Sequence, residues 1–224
     1  MRAKDVMVRD VVTASPDMGV ADAVELLAEH DVSALPVVDD DDRVVGVVSE
    51  ADLIRRGEIG TIKHRPWWLE AITPATTLAE EFAKSHGRRV AEVMSAQVVS
   101  AVPDASLAEI AALLEKHRIK RVPIIEDGRL VGIVSRSNLI QALATSGPQA
   151  EVTTESDRSI RLELLSRLSG QDWTDFGSRN VIVTDKTVHL WGLVGSPEER
   201  KALLALAESV PGVARVSDEM IAAY

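Results

Sequence analysis

The sequence predicts an α/β (α+β) chain in which a duplicated β-α-β-β-α unit is followed by a small αββαβ domain. A segment of about fifty residues occurs twice, with Met7 matching Met94 at a spacing of 87 positions and Gly46 matching Gly132 after a one-residue length difference. Both copies alternate β-branched runs with amphipathic stretches, and a separate helix and strand pattern follows them. A repeat of this length indicates a duplicated supersecondary unit.

The first copy, residues 1–57, begins with an extended segment at residues 11–13. A turn at residues 15–17 predicts a helix with Val20, Val24 and Leu27 on one face. Residues 35–38 and 44–48 are β-branched runs typical of strands. The four aspartates between these strands, residues 39–42, admit a metal site, but we favour a solvated hairpin tip.

An insert at residues 58–88 precedes the second copy, residues 89–145. Thr77 and Glu80 form a capping-box pattern, which predicts a short helix that ends at Gly87. The adjacent tryptophans Trp67 and Trp68 favour packing over ligand stacking. In the second copy, the sequence Glu-Asp-Gly at residues 126–128 predicts a compact hairpin turn.

A linker at residues 146–155 leads to the C-terminal domain, residues 156–224. Ser156 or Asp157 is predicted to cap a helix that carries Ile160, Leu164 and Leu168 on one stripe. Strands at residues 181–183 and 188–191 are joined by the turn at residues 185–186. Residues 196–199 begin a helix that runs to about residue 210, and a final strand covers residues 213–221.

Composition excludes several classes of function. A net charge of −10 disfavours a general nucleic-acid or anionic-membrane surface, because those partners attract clustered lysine and arginine. The sequence has no cysteine, which excludes disulfides and thiolate metal sites. It shows neither an apolar run of signal-peptide length nor a membrane span, so we expect a soluble cytoplasmic protein. No phosphate loop, dinucleotide fingerprint, zinc-protease motif or cysteine nucleophile indicates an enzyme.

The Ser-x-x-Asp motif of Ser49 and Asp52 has two interpretations. If Ser49 ends a strand and Asp52 lies in the first helical turn, the helix end attracts an anion and the carboxylate accepts ribose hydroxyls. The alternative is that either residue simply caps the helix. The second copy has Asn138 in place of the aspartate, with one acceptor oxygen and no charge.

The second copy is richer in positive charge around the same motif. Arg121 and Arg136 are candidates for phosphate contacts, because a guanidinium binds phosphate oxygens in a bidentate manner. A solvated surface role for both arginines is weighed evenly against this. His30 and His117 occupy equivalent positions late in a helix, and a structural role is favoured over catalysis.

Both copies resemble the cystathionine β-synthase (CBS) domain, whose tandem pairs form a Bateman module. The resemblance rests on the Val-Met pairs at residues 6–7 and 93–94, the proline-containing strands at residues 35–38 and 122–125, and the runs at residues 46–52 and 132–138. It implies a bacterial regulatory protein that associates as a homodimer through its CBS modules. Its candidate ligands are AMP, ADP, ATP, NAD and S-adenosylmethionine, with no obligatory cofactor, metal or catalytic residue.

The resemblance also implies where such a ligand would lie. Adenine would occupy an apolar slot between the early extended segment and the central strand, with the ribose at the Ser-x-x-Asp position. The implied ligand-binding residues are Thr13, Ala34, Leu35, Pro36, Ser49 and Asp52 in the first copy, and Ser100, Arg121, Val122, Pro123, Ser135, Arg136 and Asn138 in the second.

Residues 156–224 resemble a BON domain (bacterial OsmY and nodulation) in helix and strand order, in residues 188–194 and in residues 196–199. The Asp185-Lys186 turn departs from the Asp-Gly often found in that family. We expect a sensor whose CBS pair binds an adenosyl ligand and acts on the BON domain or a protein partner. The alternative is a dimerising scaffold without a ligand, or a stress protein associated with the envelope or lipid through the BON domain.

Overall fold

The computed structural model describes residues 1–54, 61, 73–145 and 154–223. The helices and strands confirm the predicted α+β class. Trp67 and Trp68 and most of the predicted linker at residues 146–155 lie outside the described residues. The chain divides into a small unit, Val12–Val99 with Ile125–Leu130, and a large unit, Met1–Val11 with Ser100–Ile124 and Val131–Tyr224. The domain boundaries drawn from the sequence remain predictions.

The small unit contains most of the first repeat. Its elements are α2 (Val20–Glu29), β1 (Ala34–Val38), β2 (Val44–Ser49), α3 (Glu50–Leu53), α4 (Ala75–His86) and α5 (Val90–Val93). Strands β1 and β2 form an antiparallel hairpin. Its acidic tip agrees with the favoured interpretation, since the Asp39 carboxylate accepts the backbone N–H groups of Asp41 at 3.0 Å and Arg43 at 2.9 Å.

Two helices of the small unit differ in detail from the prediction. Helix α2 buries Val20, Ala23 and Leu27, whereas Val24, predicted on the same face, is 47% exposed. The prediction for Val24 is wrong, because Ala23 takes the inward position in that turn of the helix. Helix α4 begins after Pro74, so Thr77 lies within the helix and is not its N-cap, although Gly87 ends the helix as predicted.

The large unit combines the N-terminal residues with the second repeat and the C-terminal domain. The repeat-derived elements are α1 (Ala3–Val6), α6 (Leu107–Lys116), β3 (Arg121–Glu126), β4 (Arg129–Ser135) and α7 (Arg136–Thr145). The end of β3, the start of β4 and the turn between them, Ile125–Leu130, are assigned to the small unit. Strands β3 and β4 form a two-stranded sheet. The predicted turn is present, with positive φ at Asp127 (51°) and Gly128 (83°). Ala3, Val6 and Met7 pack in one core with Val122, Ile124 and Val134.

The C-terminal domain confirms the predicted αββαβ order. Its elements are α8 (Glu155–Leu168), a 3-10 turn (Ser178–Asn180), β5 (Val181–Thr184), β6 (Thr187–Val194), α9 (Pro197–Glu208) and β7 (Arg215–Ala222). Strand β6 pairs antiparallel with β5 and parallel with β7. Asp185 and Lys186 both adopt positive φ, 48° and 56°, so this turn is made without glycine.

The same domain corrects the predicted cap of its first helix. Thr154 is the N-cap, because its side chain accepts the backbone N–H of Asp157 at 3.1 Å. Asp157 instead completes a capping box from the third helical position. Ile160, Leu164 and Leu168 are buried as predicted. Among the helices that the structure describes, none is long and apolar enough to cross a bilayer.

Candidate ligand-binding sites

The first candidate site lies in the small unit, where β2 ends and α3 begins. Ala34 and Ser49 are cross-strand partners at this end of the hairpin. The backbone N–H of Ala14 donates to the oxygen of Pro36 at 3.0 Å, which places the preceding residue, Thr13, alongside β1. The structure therefore gathers the extended segment, the start of β1 and the Ser-x-x-Asp motif within one part of the unit.

Asp52 acts as a helix-capping residue in this arrangement. Its Oδ2 accepts the backbone N–H of Ser49 at 3.0 Å and the Ser49 hydroxyl at 2.7 Å. Among the described residues, Oδ1 receives a single long contact of 3.4 Å, from the Ser95 hydroxyl. A ribose hydroxyl would therefore have to bind through Oδ1 or displace the cap. Sequence reasoning missed Ser95, although it directly follows the repeated Val-Met pair.

Two implied ligand contacts can only be made by main-chain atoms. Leu35 and Val122 are fully buried, each within the apolar core of its own unit. A side chain with no exposed surface contributes to packing and cannot line an open slot. If adenine binds beside these strands, it contacts the Leu35 and Val122 backbones.

The second candidate site lies in the large unit and repeats the same local geometry. Asn138 Oδ1 accepts the backbone N–H and the hydroxyl of Ser135, both at 2.8 Å. Asn138 is 4% exposed. The backbone N–H of Ala101 donates to the oxygen of Pro123 at 3.0 Å, which places Ser100 beside β3. An amide thus replaces the carboxylate without changing the cap.

The two arginines of the second site differ in their surroundings. Arg136 is exposed, and its Nη2 donates to the backbone oxygen of Ile119 at 3.2 Å. Its backbone N–H donates to the oxygen of Lys120 at 3.3 Å, which joins the start of α7 to the segment before β3. Arg121 is half-buried as the first residue of β3. Both positive charges therefore belong to segments that meet where α7 starts.

A short segment, residues 5–9, links the second repeat to the C-terminal domain within the large unit. Val8 and Ile133 exchange two backbone hydrogen bonds of 2.9 Å. On the other side, Asp5 Oδ1 accepts from Arg158 Nε at 2.7 Å, and the Arg9 backbone N–H donates to the Ser178 hydroxyl at 2.9 Å. The same five residues thus contact both β4, which ends at the second site, and the C-terminal domain.

Arg161 completes this connection. It is 4% exposed, and it donates to the backbone oxygens of Met7 at 3.1 Å, Ser178 at 2.7 Å and Val181 at 2.9 Å. Burial lowers the pKa of Arg161 to about 10, and the nearby Arg9 charge adds to this effect. The guanidinium remains charged at neutral pH.

Comparison with known proteins agrees with this arrangement of repeats. The family model of the CBS domain matches residues 3–58 and 90–145, half of the chain. The model of the BON domain matches residues 156–223. The chain belongs to the CBS-domain family and carries a C-terminal BON domain.

Relatives of different size share the CBS pair. The CBS domain-containing protein YhcV of Bacillus subtilis is 30% identical over 158 residues, which cover 70% of this chain and 96% of YhcV. An inosine-5'-monophosphate dehydrogenase of Methanocaldococcus jannaschii is 29% identical over 141 residues, which cover 62% of this chain but 23% of the enzyme. The match to the dehydrogenase is therefore confined to a fraction of that enzyme.

A plant CBS protein provides a relevant solved structure. The chain is 31% identical to CBSX2 of Arabidopsis thaliana over 145 residues, 62% of this chain and 61% of CBSX2. The crystal structure of CBSX2 in complex with AMP matches with a TM-score of 0.56 and 30% identity, covering 64% of this chain and 96% of the solved chain. CBSX2 is thus a CBS-pair relative that binds AMP.

Proposed function

We propose that the CBS pair of this chain is a non-enzymatic sensor that binds an adenine nucleotide or a related adenosyl ligand. The AMP complex of CBSX2 is the single observation that carries the proposal, because CBSX2 shares both fold and sequence with residues of this CBS pair. The ligand would contact the Ser49 and Ser135 motifs, with Arg121 and Arg136 as phosphate partners. The near-complete match to YhcV, a protein of CBS-pair size, supports a regulatory role without a catalytic domain.

The second site is the one that transmits ligand binding to the BON domain. Strand β4 ends at Ser135, and its Ile133 is paired with Val8. The adjacent Met7 carbonyl is held by Arg161 of α8. A ligand can shift an equilibrium only by contacting two states differently. If the ligand moves the Ser135 end of β4, the paired residue Val8 and the adjacent Met7 move with it. Helix α8 is hydrogen-bonded to Met7, so the movement reaches the BON domain.

A homodimer in the cytoplasm is the assembly we propose for this sensor. The net charge of −10 supports the location, since it opposes adhesion to an anionic bilayer. Sedimentation of the full chain with and without AMP measures the assembly state, and cell fractionation measures the location. A scaffold that binds no nucleotide, or an envelope-associated stress protein, is the alternative.

Calorimetric titration of the full chain with AMP, ADP, ATP, NAD and S-adenosylmethionine tests the proposal. We expect saturable heat with at least one of these ligands, and a weaker response in a variant with Arg136→Gln. The matched control is Arg118→Gln, an exposed arginine that follows α6. Absence of saturable heat with all five ligands would leave the scaffold as the better account.

A further inference from the structure

A cleft in the BON domain is separate from both candidate nucleotide sites. It has a volume of about 590 Å³ and is lined by the loop before β5, the end of β6 and the start of α9. Trp173 and Leu193 line it and are 43% and 67% exposed. Ile221, the cross-strand partner of Leu193, is 65% exposed. Trp173 and Leu193 share the cleft, and Leu193 and Ile221 are neighbours across β6 and β7; we call these three exposed side chains the Trp173 patch.

The floor of the cleft is fixed by a close backbone approach. Gly192 has a φ of +130°, and a Cβ on it would lie 2.4 Å from Asn180 Nδ2. The absence of that Cβ lets Asn180 Nδ2 donate to the oxygen of Trp191 at 2.8 Å. Asn180 Oδ1 in turn accepts the backbone N–H of Gly177 at 3.0 Å. The cleft is therefore preformed, which limits the ordering cost of binding.

The rim of the cleft is acidic. Asp172 and Asp175 are exposed, and neither forms an ion pair with any residue that the structure describes. Glu199 adds a third carboxylate, which accepts from the Thr174 hydroxyl and the Gly195 backbone N–H, both at 2.7 Å. Arg179 is the single basic residue among those that line the cleft. Three carboxylates against one guanidinium leave a negative rim around an apolar patch.

We propose that this cleft is a docking site for a basic segment of a partner protein in which lysine or arginine alternates with aliphatic side chains. The aliphatic side chains would cover Leu193 and Ile221, and a cation would stack on the exposed Trp173 ring. Asp172 and Asp175 would attract the remaining cations and select against acidic segments. The same carboxylates oppose an anionic lipid surface.

The docking site is independent of nucleotide binding, so it is tested on the full chain without nucleotide. The probe is a fluorescein-labelled peptide that alternates leucine with lysine, and its matched control alternates leucine with glutamate. Fluorescence anisotropy should show saturable binding of the lysine peptide that weakens at high salt, and no binding of the glutamate peptide. Binding of neither peptide, or equal binding of both, overturns the proposal.

Charge-matched variants locate the binding. The double variant Asp172→Asn and Asp175→Asn should raise the dissociation constant about tenfold, because loss of the rim charge slows association with a basic peptide. The control, Asp40→Asn with Asp41→Asn, removes the same charge from the exposed hairpin tip of the small unit and should leave the constant unchanged. Trp173→Ala should also weaken binding about tenfold.

Other results of these experiments would indicate a different occupant of the cleft. If both double variants weaken binding equally, the peptide responds to net charge alone and the proposal fails. If Trp173→Ala abolishes self-association or vesicle binding while the lysine peptide does not bind, the patch belongs to a second copy or to lipid, and the proposal also fails.

Discussion

Arg161 Nη2 donates a hydrogen bond of 3.1 Å to the backbone oxygen of Met7 and so joins the BON domain to a residue of the N-terminal segment. Met7 itself packs against Gly132 of β4, where a Cβ would lie 2.6 Å from its sulfur. The second repeat and the BON domain are therefore held to the same peptide. Sequence position alone gives no reason to expect this contact, because residue 7 belongs to the first CBS domain and residue 161 to the BON domain.

Replacing Arg161 with methionine should strongly destabilise the protein. The variant leaves three backbone oxygens without their donor, and each buried acceptor left unpaired costs about 1–3 kcal/mol. Relief of the buried charge offsets part of this, so we expect a loss of about 3 kcal/mol in the free energy of unfolding, measured with urea. Arg167→Met is the control on the same helix.

Arg167 is more exposed. It pairs with Glu163 at 2.8 Å and donates to the Ser209 hydroxyl at 3.0 Å and backbone oxygen at 3.3 Å, all groups that water can reach, so its loss should cost less than about 1 kcal/mol. Equal costs for the two variants would contradict the assigned role of Arg161.

Asp157 should make the BON domain sensitive to acid. Burial alone would raise its pKa, but hydrogen bonds from the backbone N–H groups of Lys186 and Thr154 and from the Thr154 hydroxyl lower the pKa of Asp157 below 3.8. The carboxylate thus stabilises the fold above pH 3.8, and this contribution is lost as pH falls through the lower pKa of the folded state.

The measurement is urea unfolding of the wild type and Asp157→Asn over a descending pH series. Their difference in unfolding free energy should be constant near neutrality and should shrink below pH 3.8. Thr154→Val removes the capping hydroxyl, should cost about 1 kcal/mol and should retain the acid transition. A difference that does not change with pH would contradict this account.

Gly132→Ala should destabilise the large unit because the new methyl group meets the Met7 side chain and the Val8 oxygen. That oxygen lies 2.9 Å from the position of the added Cβ and is fixed by its own hydrogen bond. We expect a loss of about 1–3 kcal/mol, measured by thermal unfolding. Met7→Ala destabilises the core by itself, but in that background Gly132→Ala should cost less than in the wild type, with the Val8 clash accounting for the remainder.

Gly170→Ala is the matched control for this substitution, because its nearest atom lies 4.0 Å from the added Cβ. If Gly132→Ala unfolds at the same temperature as Gly170→Ala, the close approach of Met7 is not important for stability.

Asp52 is predicted to discriminate ribose from deoxyribose, provided that the first site binds AMP. The wild type should bind AMP more tightly than 2′-deoxy-AMP. Asp52→Ala should weaken AMP binding by about 1.5–3 kcal/mol, typical of a lost charged hydrogen bond, and should remove the preference. Because Asp52 also caps α3, equal weakening toward both nucleotides would assign it a purely structural role.

Periodicity and turn chemistry were sufficient to predict the architecture from the sequence. Ser49 and Ser196 were correctly placed at helix starts, and the αββαβ order of the C-terminal domain was confirmed. These features depend on local sequence, which determines capping and strand alternation directly. The packing of Met7 on Gly132, and of Met94 on Gly46, could also have been predicted from the sequence, because both residues of each pair recur in the repeat.

The remaining errors arose where tertiary packing decides between similar local choices. Val24 is β-branched and correctly spaced, yet the smaller Ala23 occupies the core. The Ser95 contact with Asp52 and the Arg161 contact with Met7 join distant parts of the chain. Neither has a local signal, since an arginine on an amphipathic helix is usually solvated. The ligand-binding residues themselves remain predictions.

Hydrogen–deuterium exchange of the full chain with and without saturating AMP tests the central claim most directly. The account predicts slower exchange at residues 133–138 and a change at residues 5–9 and in α8, because these segments are joined by the Val8–Ile133 and Met7–Arg161 hydrogen bonds. Saturable AMP binding that leaves residues 5–9 and α8 unchanged would contradict transmission from the second site to the BON domain.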